Sequence, residues 1–157
     1  MKQTTACFLL REVPEMEVLL GMKKTGFGAG KYAGIGGKVE VGETVERAAV
    51  REVEEELGVN ILEKNLQVAG KIIFSFPSRT EWSQEVSVFL VRSWQGKPGE
   101  SDEMKPCWFR LAEIPYGLMW QDARCWLPLI LEGQTIQARI SFKADHETVD
   151  DVSLIQL

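Results

Sequence analysis

The chain has 157 residues, 45% of them hydrophobic, enough for one globular domain with its own core, expected over 1–157. A net charge of −5 argues against holding polymeric nucleic acid on a general basic face, and no apolar run reaches the roughly 18 residues of a membrane-spanning helix. The three cysteines, Cys7, Cys107 and Cys125, are odd in number, far apart and form no CxxC, so free thiols and a cytoplasmic location are expected.

Residues 6–13 and 17–22 read as strands turning at Pro14. The N-terminus reads as a strand rather than a signal peptide, because Arg11 and Glu12 follow its short apolar patch at once. Residues 25–30 form a loop and 32–38 a short extended piece. No acidic residue falls between Val18 and Val39, yet Lys23, Lys24, Lys31 and Lys38 do, and eight of the fourteen glycines lie between Gly21 and Gly42. Such a loop suits a small polyanion if an acidic, metal-binding element follows, and is otherwise a flexible loop with solvated lysines. Neither GFGAGK nor GIGGKV has the spacing or the Lys-Ser/Thr ending of a P-loop.

Residues 44–57 read as a helix, with Thr44 able to cap its start and Gly58 able to take the left-handed position after its end. Val45, Ala49, Val53 and Leu57 form an apolar stripe at i+4 steps. At about 100° per residue, Glu56 projects close to that stripe, and Glu52 and Glu55 lie along its edge. Carboxylates beside a core need something positive to neutralise them, and a hard divalent cation, Mg²⁺ first, meets that need. An ordinary solvated acidic face is the plain alternative, and Glu46 and Glu54 fit it.

Residues 67–75 and 85–94 read as strands, with a turn at 96–99 before another short strand over 105–110. Ala123–Leu131 reads as a second helix with Asp122 as its cap and Gly133 just past its end. Residues 136–143 and 148–156 close the chain as a hairpin turning near Asp145 and His146. His146, the one histidine, reads as a surface turn residue rather than a general base; the absence of a second histidine removes His-based zinc sites, and a Ser-His-Asp triad has no support. Strands on both sides of the first helix, with a second helix late, predict an α/β class with a mixed sheet between helices.

The run GKVEVGETVERAAVREVEEELGV, residues 37–59, resembles the Nudix hydrolase box, in which fixed Gly, Glu, Arg-Glu, Glu-Glu and Gly positions recur at set spacings. Gly37, Glu43, Arg51, Glu52, Val53, Glu55, Glu56, Gly58 and Val59 all match it. The resemblance implies the Nudix fold, an α/β/α sandwich, and cleavage of a nucleoside diphosphate linked to another group, with Mg²⁺ or Mn²⁺ as cofactor. It implies metal ligation by Glu52, Glu55 and Glu56, helped by the Gly36 carbonyl and Glu103. Glu43 and Arg51 become the pair bracing loop against helix, and Glu56 and Glu103 the two candidates for the base.

GMKKTGFGAGKYAGIGGKV and SDEMKPCWFRLAEIPYGLMW are similar to the MutT-homologue branch of that family. That branch hydrolyses oxidised purine nucleoside triphosphates such as 8-oxo-dGTP to the monophosphate and pyrophosphate. The similarity implies a base pocket lined by Phe27 and Phe74 with Met104, Trp120 and Trp126 around it, and Lys23 reaching the phosphate or sugar end. An indole face suits stacking on a purine, and each aromatic also reads simply as core. Asp122 can accept from a purine N–H, or donate if burial keeps it protonated. The branch has an Asn where this chain has Ala33, and paired aspartates where it has Asp122-Ala123; backbone groups near Ala33 or Gln84 could replace the lost contacts. The expected partner is a small-molecule nucleotide, with no polymeric nucleic acid or membrane, and the expected state is a monomer. The alternatives are a Nudix enzyme acting on another nucleotide derivative, such as a nucleotide sugar or an ordinary triphosphate, and a non-catalytic nucleotide-binding module.

Overall fold

Alternation along the first strand, β1 (Lys2–Glu12), decides which face of the sheet each side chain enters. Phe8 and Leu10 enter one core cluster, and Cys7 and Leu9 enter the other. In the computed structural model, which describes residues 1–157, β1 lies inside an eight-stranded mixed sheet between two helices. The other strands are β2 (Met16–Lys23), β3 (Tyr32–Ala33), β4 (Leu66–Ser75), β5 (Gln84–Val91), β6 (Met104–Arg110), β7 (Ile136–Phe142) and β8 (Val149–Gln156). Their order is β3-β2-β1-β5-β4-β7-β8, with β6 also paired to β2. β1 runs parallel to β5 and β4 to β7, and the remaining pairings are antiparallel. The α/β class and the mixed sheet are as the sequence predicts, and no helix is long and apolar enough to cross a membrane.

Helix α1 (Val45–Leu57) presents Ala49, Val53 and Leu57 to the cluster containing Cys7 and Leu9. The Thr44 side chain accepts from the Arg47 N–H, and Gly58 closes the helix in the left-handed conformation at φ 72°, as the sequence predicts. Helix α2 (Ala123–Leu131) puts Trp126, Leu127 and Ile130 into the cluster on the opposite face. One expectation fails there. Asp122 stands at the helix start with helical backbone angles and makes no side-chain cap, because its carboxylate is drawn inward to Trp126 instead.

β1 and β2 pair directly only from Leu10↔Val18 to Glu12↔Met16 and then separate. The glycine-rich segment fills the gap. Its Ile35 exchanges both backbone bonds with Cys7 at 2.6 and 2.8 Å, and Gly37 O accepts from Thr5 N–H at 2.9 Å. A Cβ on Gly36 would stand 1.9 Å from the Thr5 carbonyl oxygen, so the approach is open only to glycine. This strip forms part of the wall of the cavity described below, together with Glu56 of α1.

Two strand boundaries differ from the sequence reading by more than one residue. β1 begins at Lys2 rather than residue 6, because residues 2–9 pair in parallel with β5. β5 ends at Val91, and Trp94 lies beyond it, stacked on Trp108 with centroids 5.8 Å apart. Val53 is fully buried at the centre of the α1 packing. Val53→Ala should therefore lower the unfolding free energy by about 2 kcal/mol in urea denaturation with an unchanged slope. A loss under about 0.5 kcal/mol, usual for surface changes, would contradict the packing.

Candidate active site

The four acidic positions of the box differ sharply in exposure. Glu56 is 6% exposed, while the side chains of Glu43, Glu52 and Glu55 are 15%, 13% and 56% exposed. Glu55 thus lies farther out than the edge of the stripe and needs no neutralising partner, contrary to its grouping with the other two. Arg51 organises the cluster. Its Nε and Nη2 donate to the two Glu43 oxygens at 2.7 and 2.9 Å, and Nη2 also donates to Lys38 O at 3.0 Å. Nη1 donates to Glu52 at 2.9 Å and to Glu55 at 3.3 Å. The two Arg51 bonds hold the Glu43 carboxyl down at about 2. Glu43 and Arg51 do brace loop against helix.

Glu56 is the least compensated group. Burial, then the charges of Glu52 and Glu103, push its carboxyl up to about 8, against the pull of the Gly36 N–H and of Lys23. The Gly36 N–H donates to Glu56 Oε2 at 3.2 Å. Glu52 is raised too, first by burial, with Glu55 and Glu103 opposing its ionisation and Arg51 favouring it. The Glu52 carboxyl packs on Gly37, where a Cβ would stand 2.5 Å from it. Oxygen donors whose charges repel one another in a half-buried site suit a hard divalent cation. No three of them converge on a single point, and Arg51 holds one oxygen each of Glu52 and Glu55.

On the other side of the Gly34–Val39 strip lies a cavity of about 350 Å³, within the usual range for a small-molecule site. It brings together Lys23, Phe27, Ala33, Gly36, Glu56, Phe74, Met104, Trp120, Asp122 and Trp126 from the sequence-predicted set. Arg51, Glu52, Glu55 and Glu103 are not in its wall; Glu103 is exposed just before β6 and reaches the site through its charge on Glu52 and Glu56. Of the four loop lysines, Lys24 pairs with Glu100 and Lys31 with Glu147, while Lys23 and Lys38 line the cavity.

Phe27 and Trp120 stack at 5.0 Å, and Trp82 meets Phe27 edge-on at 4.8 Å. Phe76, Phe142, Thr4 and Phe8 line the cavity unforeseen, as does the side chain of Gln84, near which the sequence reading offers only backbone groups; Trp82 lies outside the wall and meets Phe27 and Phe76 edge-on. Phe76 lies two positions past Phe74, so alternation carried past the strand end would have found it; Thr4 precedes the predicted start of its strand. His146 sits in the predicted turn at φ 60°. Its ring packs 4.9 Å from Trp82, and Nε2 lies 2.9 Å from Ser78 Oγ. It packs on Trp82 and Phe76 from outside the cavity wall.

Three comparisons bear on this geometry. The model described as NUDIX domain matches residues 1–130. The chain belongs to the Nudix hydrolase family. It is 45% identical over 132 residues to the oxidized purine nucleoside triphosphate hydrolase of Danio rerio, covering 84% of this chain and 82% of that protein. With the Mus musculus protein of the same description it shares 42% over 137 residues, covering 87% and 85%. Among solved structures, the MutT protein of Bacillus halodurans has a TM-score of 0.82 at 20% identity, covering 98% of this chain and 97% of that one, a likeness of fold. The MutT Nudix hydrolase of Burkholderia pseudomallei has a TM-score of 0.69 at 26% identity, covering 81% and 95%. Nudix hydrolases as a group depend on a divalent metal.

Asp122 is 3% exposed, and its Oδ2 accepts from Trp126 Nε1 at 2.7 Å. Burial outweighs that bond and pushes its carboxyl from 3.8 up to about 6. Between those values the folded form carries more protons than the unfolded form, so stability falls as pH rises through the window and the cost is complete above it. Asp122→Asn keeps an acceptor for the indole and should gain about 1–3 kcal/mol at neutral pH, the gain vanishing below about pH 4. Urea melts at the two pH values check this; equal stability of the two proteins throughout would contradict it.

Proposed function

We propose that this Nudix hydrolase cleaves oxidised purine nucleoside triphosphates such as 8-oxo-dGTP to the monophosphate and pyrophosphate, and so sanitises the nucleotide pool. The observation that carries the reading is the juxtaposition of an acidic cluster with an aromatic, purine-sized cavity across one glycine strip, with Gly36 and Glu56 shared by both. The two animal relatives named above, each matched over more than four-fifths of its length, support the substrate class.

Glu52, Glu56 and Glu103 would hold the cation, with Glu55 and the Gly36 carbonyl as further oxygen donors, and the oxygen set favours Mg²⁺ with Mn²⁺ as a substitute. A bound cation would supply charge neutralisation at the phosphate oxygens and a more acidic attacking water. Arg51 keeps Glu52 in register with the loop. Lys23, whose charge already favours ionised Glu56, would meet the phosphates from the cavity side. Phe27, Phe74, Met104, Trp120 and Trp126 would enclose the base, with Asp122 at its polar edge and Ala33 leaving that end without a side-chain hydrogen bond. Glu56 and Glu103 are the two carboxylates able to take the proton of the attacking water.

A pyrophosphate-release screen with Mg²⁺ tests the assignment using 8-oxo-dGTP, 2-hydroxy-dATP, unmodified dNTPs, ADP-ribose and UDP-glucose. Preference for the oxidised purines is expected; release from the sugar conjugates alone would overturn it. Glu56→Gln should keep the fold and lower kcat/KM by about 10²–10⁴-fold. Near-wild-type turnover from that variant would sink the role given to Glu56.

A further inference from the structure

The cavity floor is built from β1, β5 and β4, where Ala6, Phe8, Ile72, Phe74 and Val86 present an apolar surface. Polar residues of the same strands also line it, Lys2, Thr4 and Thr5 from β1 and Gln84 from β5. In the ladder Gln84 stands opposite Phe74 on one side and Lys2 on the other, so its side chain lies next to the aromatic proposed to hold the base.

The amide has a defined orientation. Thr4 Oγ1 donates to Gln84 Oε1 at 2.8 Å, and Gln84 Nε2 lies 3.5 Å from the Trp82 carbonyl oxygen. Turning the amide over would set two carbonyl-type oxygens against each other at Trp82, whereas the Thr4 hydroxyl can donate or accept, so it is the backbone carbonyl that selects the form with Nε2 towards Trp82. The bond to Trp82 is at the outer limit of length, which leaves this NH₂ with unused donor capacity in a mostly apolar wall. Asp122, on α2, is held in the opposite manner: one oxygen is occupied by Trp126, and the other is an acceptor when ionised or a donor when protonated. The Ala33 side chain offers no hydrogen bond.

We propose that Gln84 is a specificity-determining residue that donates a side-chain hydrogen bond to an acceptor on the purine, that Thr4 positions it, and that Gln84 with Asp122 reads the base that Ala33 cannot. The inference rests on the purine-triphosphate reading above and adds to it the group that recognises the base. Gln84 and Thr4 touch none of the acidic cluster, so their effect falls on base recognition and not on the phosphorus chemistry.

The test is steady-state kinetics on 8-oxo-dGTP and dGTP with Mg²⁺, comparing wild type with Gln84→Leu, Gln84→Glu, Thr4→Val and Thr4→Ser. Gln84→Glu keeps the shape and the Thr4 contact but exchanges the donor for an acceptor. Both Gln84 variants should lose about ten- to a hundredfold in kcat/KM on the better substrate, mainly through KM, with the ratio between the two substrates shifted. Thr4→Val should lose less, and Thr4→Ser should retain wild-type behaviour. Thermal melts identify any variant that fails to fold, and Gln84→Glu and the Thr4 pair then carry the result without Gln84→Leu. Unchanged kcat/KM in Gln84→Glu and Thr4→Val, or a loss confined to kcat, would overturn the role of Gln84 while leaving the substrate class intact. A wild-type protein that turns over no purine triphosphate would overturn the substrate class itself, which the wild-type arm alone reveals.

Discussion

The Arg51 guanidinium meets oxygens from the loop carbonyl of Lys38, from Glu43 just before α1, and from Glu52 and Glu55 on the helix. The planar fork fits the Glu43 carboxylate with two parallel bonds, which a lysine could not do. Because the guanidinium is mostly buried, losing one partner would leave the other charge without compensation. The loop that fills the gap between β1 and β2 is thereby tied to the helix that bears the acids. The distance between Gly36 and Glu56, and with it the shared wall of cluster and cavity, depends on that tie.

The consequences are electrostatic on one side of the strip and steric on the other. Towards α1, burial and like charges keep Glu56 near neutrality until something positive arrives. Towards α2, the same glycine strip lets the cavity come within reach of that carboxyl, with Phe27 and Trp120 in its wall and Trp82 packed on Phe27 from outside. A polyanion with a flat, apolar end fits both halves at once. Uncompensated acid on one side and unoccupied aromatic surface on the other are costs to the free protein that a nucleotide and its cation would offset together.

The first helix was legible because its signals are local: Thr44 at the start, Gly58 at the end, and an i+4 stripe between them. The Glu43–Arg51 brace was legible from the spacing of the family box. What escaped depends on partners distant in sequence. The strand start at Lys2 is set by parallel pairing with β5, and the Gln84 amide is oriented by a hydroxyl eighty residues away. Asp122 looked like a cap by position, but the indole four residues on competes for its carboxylate and wins in a buried setting. The exposure of Glu55 was missed because a helical wheel gives an angle and not the depth of the neighbouring loop.

The central claim is that Glu56 and its acidic neighbours together bind a divalent cation. Titrating Mn²⁺ into the protein and reading the free ion by electron paramagnetic resonance tests it most directly. The account predicts saturable binding to the wild type that Glu56→Gln weakens at least about tenfold, as loss of a hard anionic ligand should. Indistinguishable binding by the two proteins, or none by the wild type, would contradict it.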